Sequence, residues 1–184
     1  PADPPEEVVT AQRRANAWLQ LLSDRCTDPP ADGRLAADGS DAVLLAAQAV
    51  AAGRLDDAES VLTAADQVIR GDALLTARAV AYRAAVACLR GRYREMAQAA
   101  ERAEALGVRS SPGWADCDGH AVCAVLRAHG ALLSADPQRT LELLAGFLRS
   151  PEPDAPATFS VIAPVVLAHA GAAHHELGDP AAGG

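Results

Sequence analysis

Two short steps in the sequence constrain this chain most. Gly53-Arg54-Leu55-Asp56-Asp57-Ala58 is answered by Gly91-Arg92-Tyr93-Arg94-Glu95-Met96, with 38 residues separating Gly53 from Gly91. In each, a glycine follows an amphipathic apolar run, and a charged-apolar turn opens the next run. Glycine ends a helix because it accepts the left-handed backbone at no steric cost. The two steps therefore predict helical hairpins joined by tight turns.

The runs on either side keep helical spacing. Val43, Leu44, Ala47 and Val50 recur at threes and fours within 41–52, with Asp41 as a cap, and Ala58, Val61, Leu62, Ala65 and Ile69 within 56–69. From Asp72 to Arg90, residues Leu74, Ala77, Val80, Ala81, Ala84 and Cys88 share one arc. Thr76, Arg78, Tyr82, Arg83 and Arg90 take the opposite one. The next run, Tyr93 to Leu106, turns Met96, Ala99, Ala100 and Ala103 inward. A loop is expected over Gly107 to Gly113. Ser111-Pro112 then starts a third pair, with Trp114, Ala121, Val125, Ala128 and Leu132 on one stripe to about Ser134. Asp136-Pro137 opens its partner, which buries Leu141, Leu144 and Leu148. A last helix is expected over Thr158 to Leu177, kinked at Pro164 or starting after it. No stretch alternates as a strand would.

Before this array, Glu6 to Leu22 reads as a lead helix with Trp18 as a packing anchor, and Pro29-Pro30 breaks the chain behind it. The expected organisation is a lead helix and Pro-rich linker over 1–40, then a helical array over 41–184. The closing Gly178-Asp179-Pro180 stands where another hairpin turn belongs, so the array is expected to continue in a longer protein.

Alanine is the commonest residue and aromatics make up 3% of the chain, which favours close helix packing over a core of large side chains. The formal charge is −8, against the basic surface that phosphate neutralisation needs, so direct nucleic-acid contact is not expected. No apolar run is long enough for a membrane span. Cys26, Cys88, Cys117 and Cys123 form no CxxC pair and read as reduced, buried thiols.

Residues in and around the glycine turns resemble the tetratricopeptide family. Gly53, Leu55, Ala58, Leu62 and Ala65 follow its pattern of Gly, large, Ala, large, Ala, and Gly91, Tyr93, Met96, Ala100 and Ala103 follow it with two changes. Leu45-Ala46 and Ala84 match the first-helix signature. The 38-residue spacing exceeds the family's unit of about 34 residues. The resemblance covers about residues 41–177. It implies an all-α, tetratricopeptide-like stack of antiparallel helix hairpins, an α-solenoid with an N-terminal lead helix. The turns are also similar to those of the helical sensor arrays in LuxR-class and maltose-regulator-type bacterial transcription regulators. That likeness implies a cytoplasmic sensor or coupling segment.

Chemistry-bearing motifs are weak. No GxSxG, P-loop, GxGxxG or paired-carboxylate motif is present, so an enzyme is not expected and no cofactor is implied. Cys117, His120 and Cys123 recur every three residues, but on a helix the two thiols diverge and a zinc ion would lack ligands. His174-His175-Glu176 lacks the spacing of a metal-binding helix. Asp116, His120, Cys123 and Arg127 fall on one helical arc. In a tetratricopeptide-like stack, that arc and Arg83 and Arg90 of the neighbouring first helix would line one groove. Arg forks carboxylates, so Arg83, Arg90, Asp116, His120 and Arg127 are the expected contacts for an acidic protein or peptide segment. The expected function is non-catalytic recognition of such a segment. The alternatives are a small-molecule sensor segment and a self-associating structural module that forms homo-oligomers.

Overall fold

The computed structural model describes residues 39–110, 114–115, 117–148 and 157–178. The lead helix expected over 6–22 and the linker behind it lie outside these residues, as do Cys26 and Asp116. Among the described residues there are seven helices and no strand, an all-α fold. They are α1 (Gly39–Ala51), α2 (Leu55–Ile69), α3 (Ala73–Leu89), α4 (Tyr93–Ser110), α5 (Asp118–Leu133), α6 (Pro137–Leu148) and α7 (Ala157–Glu176).

Each helix packs on its predecessor, α5 on α4 included. The odd-numbered helices also pack in sequence, α1 on α3, α3 on α5 and α5 on α7. The core runs through these contacts. Val43, Leu62 and Ile69 join Ala79 and Tyr82, and Ala77, Ala81 and Ala103 join Trp114 and Cys123. Met96 and Ala100 meet Ala84 and Leu126, and Ala128 and Leu144 meet Val166 and Ala170.

The turns explain the chain's course. Gly53, Gly91 and Gly178 have φ of 70°, 72° and 78°, and Ala135 has φ 54°. At the first, Gly53 N–H donates to Val50 O and Arg54 N–H to Ala49 O. The same two bonds recur from Gly91 to Cys88 and Arg92 to Ala87, and from Ala135 to Leu132 and Asp136 to Ala131. This is the Schellman closure, which satisfies the last carbonyls of a helix. The third turn falls where the sequence placed it, between Ser134 and Asp136, but alanine stands where glycine stands in the other two. A non-glycine residue there carries a left-handed penalty of about 1–2 kcal/mol, partly offset by the unfolded-chain entropy that glycine adds. Ala135→Gly is therefore expected to raise stability by about 1 kcal/mol in thermal melts. A lower or unchanged melting temperature would contradict that reading of the turn. Asp72 caps the start of α3 and Asp136 that of α6, their Oδ1 atoms accepting from Leu75 N–H (2.9 Å) and Arg139 N–H (3.0 Å).

Three expectations change. The loop over Gly107 to Gly113 gives way to helix through Ser110. The helix expected from Ser111-Pro112 starts at Asp118, with Cys117 in extended conformation as its cap residue. Trp114 thus sits in the turn between α4 and α5, and neither it nor Cys117 belongs to a helical stripe. On the polar arc of α3 Tyr82 is buried, and beside it so are Ala79, Ala85 and Ala87. α3 touches α1, α2, α4 and α5, which buries most of its residues between Ala77 and Ala87 and leaves Leu89 exposed. In α7 the helix begins at Ala157 and runs unbroken through Pro164.

Candidate functional site

The side chains singled out on α3 face α2. Arg83 Nη2 donates to the Leu62 carbonyl (2.9 Å) and to Asp66 Oδ1 (2.8 Å). Arg90 reaches both Asp56 and Glu59. Arg90 closes α3 and Arg83 lies seven residues earlier, two helical turns, so both fall on one side. Beside them an open notch of about 200 Å³ lies between α2, α3 and α4. Its apolar part is Leu62, Val86, Ala87 and Ala99. Its polar edge is Arg83, Arg90, Arg92, Glu59 and Glu95. Arg92 pairs with Glu95 at 3.1 Å. Every arginine of the notch is thus answered by a carboxylate. The notch presents ion pairs around an apolar floor, not bare positive charge.

His120 faces other elements. Its Nδ1 lies 3.2 Å from Glu104 Oε2 of α4, and its ring stands 5.9 Å from that of Phe147 on α6. The same carboxylate oxygen accepts from Trp114 Nε1 at 3.0 Å. An ionised carboxylate only accepts, so His120 carries its hydrogen on Nδ1. The indole is only 2% exposed. It fits there because two helices approach without side chains. A Cβ on Gly107 would lie 2.0 Å from the ring, and one on Gly119 3.0 Å from it. Arg127 is half-buried on α5 and makes no ion pair or hydrogen bond among the described residues.

The five expected contacts therefore do not line one groove. Arg83 and Arg90 share the α2 side of α3, His120 sits against α4 and α6, and Asp116 lies outside the described residues. Arg83 and Arg90 part from His120 because α3 turns its arginines to the carboxylates of α2, while His120 on α5 turns to Glu104 of α4.

A third polar cluster was not legible in the sequence. Arg78 Nε and Nη2 fork Asp118 at 2.6 and 2.7 Å, and the Tyr82 hydroxyl donates to Asp118 Oδ2 at 2.7 Å. Burial alone would raise the Asp118 carboxyl, but the Arg78 bonds and charge outweigh it and hold it below its ordinary value. Burial, with the Asp118 charge behind it, pushes the Tyr82 hydroxyl well above its usual range. The cluster pins α3 to the start of α5 with its groups satisfied.

Burial holds the described thiols above their ordinary value. Burial, helped by Glu104, pushes Cys123 up to about 12, and burial also raises Cys88 and Cys117. Among the described residues no three His, Cys, Asp or Glu side chains converge as metal ligands, and no helix is long and apolar enough to cross a membrane. No family model matches the chain, and no curated protein or solved structure matches it.

Proposed function

We propose that this chain is a tetratricopeptide-like helical stack that serves as a non-catalytic binding module for a protein or peptide segment. The observation that carries the reading is the notch between α2, α3 and α4, where Arg83 and Arg90 stand beside an apolar floor. Its size favours a side chain over a metabolite. At about 200 Å³ it falls below the roughly 300 Å³ at which drug-sized ligand pockets begin. The recurring Schellman turn and the contacts between successive odd-numbered helices support the stacked arrangement. Raised thiols and the absence of a catalytic motif support a binding role over a reactive one.

The ion pairs define the segment that suits the notch. A purely acidic segment would have to displace Asp66, Asp56 and Glu59 from their arginines. A segment with one apolar anchor, flanked by polar groups of both signs, meets the floor and the edge without that loss. Reversing Arg83 or Arg90 would set like charges against α2, so those substitutions confuse binding with folding. Filling the notch does not. Ala99 is half-buried on its wall, and Ala99→Phe occupies the space. Peptides selected on phage against the wild-type chain are expected to lose about tenfold or more in affinity for this variant, about 1.4 kcal/mol. Circular dichroism should stay helical. Selected peptides that bind the filled variant equally well would discard the notch as the site.

A further inference from the structure

α5 and α7 meet at two histidines. His129 Nδ1 lies 3.1 Å from His169 Nε2, and the ring centroids are 5.3 Å apart. The difference between those distances is about twice the span from an imidazole's centre to its own nitrogen. Both nitrogens thus lie close to the line between the centroids, and the rings face each other head on. Two lone pairs shared by a tetrahedral metal ion would instead converge on a third point. The geometry is that of a hydrogen bond.

Its direction follows from a third group. His169 Nδ1 lies 2.7 Å from the Val165 carbonyl oxygen. A carbonyl only accepts, so His169 carries a hydrogen on Nδ1, and its neutral ring has a lone pair on Nε2. His129 must then donate from Nδ1. One added proton, on His129 Nε2, leaves this chain of bonds intact. A second, on His169 Nε2, sets N–H against N–H and one positive charge against another.

Among the described residues no group relieves that conflict. From α4 the Tyr93 ring stands 5.8 Å from His129. On α6, Arg139 and Glu142 pair with each other. On α3, Arg90 is held by Asp56 and Glu59, and burial keeps the Cys88 thiol protonated. α5 itself carries Arg127 and His120, and α7 carries His174, His175 and Glu176 in its last turn. Among the described residues no carboxylate bonds to either ring. Burial, and then the charge of His169, holds His129 below its ordinary value. Elsewhere among the described residues α7 packs by apolar groups, with Val166 and Ala170 against Ala128 and Leu144 and with Leu141, Leu143 and Phe147 beside them.

We propose that the His129–His169 pair is a proton-operated latch, which holds α7 on α5 at neutral pH and releases it in mildly acid solution. The sign follows from linkage. In the docked pair His129 takes its proton only below its ordinary value, and a second proton would set N–H against N–H across the 3.1 Å contact. The released rings take both, so the released state binds more protons in acid. Docking is therefore complete at neutral pH and is lost as pH falls below the ordinary histidine value near 6.5.

Hydrogen exchange on the full chain tests this. Amides of 170–176 in α7 are compared with those of 81–87 in α3 at pH 7.5 and 5.0, each corrected for intrinsic exchange. The ratio of α7 to α3 protection is expected to fall about tenfold at pH 5.0. His169→Gln keeps an acceptor for His129 and cannot take the second proton. It should hold the pH 7.5 ratio and lose the pH dependence. Nitrogen-15 shifts of the wild-type chain at pH 7.5 should show both rings protonated on Nδ1. An unchanged ratio in the wild type, a pH effect that survives His169→Gln, or either ring protonated on Nε2 instead would overturn the latch. If His169→Gln does not fold, the two wild-type measurements decide.

Discussion

Asp118→Ala is expected to cost about 3 kcal/mol, the largest loss of any single polar substitution among the described residues. The reason is what it leaves behind. Arg78 loses both arms of its fork and Tyr82 loses its acceptor, while Arg78 and Asp118 expose only 20% and 10% of their side chains. An uncompensated buried guanidinium costs far more than the ion pair contributes, because desolvation has already been spent on both charges. For a chain of this length the melting temperature should drop by about 6–12 °C. Replacing the cluster as a whole, with Arg78→Met, Tyr82→Phe and Asp118→Leu together, should recover most of that loss. A triple variant as unstable as Asp118→Ala would mean that the cluster itself, and not its orphaned charge, carries the stability.

The same group sets an acid limit. The Asp118 carboxyl sits below its ordinary value of 3.8 in the fold, so the folded chain binds fewer protons there than the unfolded one. Its contribution is complete above that value and is lost as pH falls through the lowered one. Stability of the wild type should therefore fall below about pH 4 more steeply than that of Asp118→Asn, measured by urea midpoints. Parallel curves would show that the carboxyl is not depressed.

Gly107→Ala should also be severely destabilising, against the rule for helices. Alanine within a helix ordinarily gains about 1 kcal/mol over glycine. Here the new Cβ would lie 2.0, 2.3 and 2.4 Å from three indole atoms of Trp114. The ring has to leave its slot and give up its bond to Glu104, a loss akin to the roughly 3–5 kcal/mol of truncating a buried tryptophan. A net cost of about 2–4 kcal/mol remains after the helix gain. Gly146→Ala is the matched control. It lies in α6 with nothing within 4 Å of an added Cβ, so it should stabilise by about 0.5–1 kcal/mol. In a Trp18→Phe background, Trp114 emission should shift to the red in Gly107→Ala alone. Equal stability of the two alanine variants would show that the indole does not rest on Gly107.

Local pattern carried much of this fold. Gly53 and Gly91 announced their turns because only glycine takes that backbone freely, and both lie in the left-handed region. Ala58, Leu62, Ala65 and Ile69 announced the inward face of α2 because their spacing matches a helical turn, and all four are buried. Asp136-Pro137 announced the third turn, but its left-handed residue, Ala135, gave no sign of itself, because alanine does not prefer that backbone. Trp114 followed helical spacing by coincidence. Its place is set by Gly107 and Gly119, which approach from two other stretches of chain.

The chemistry was less legible than the helices, and for one reason. A period of three or four reports which residues share a side of one helix, and it says nothing about which helix faces them. Helical spacing by itself put Arg83 with Arg90, and they do share the notch. Only tertiary packing decided that Asp66, Asp56 and Glu59 answer them, that Arg78 meets Asp118 across 40 residues, and that His129 meets His169 across another 40. Backbone propensity acts over one helical turn, whereas a charge or a shared proton acts on whatever the fold brings within about 3 Å, at any distance along the chain.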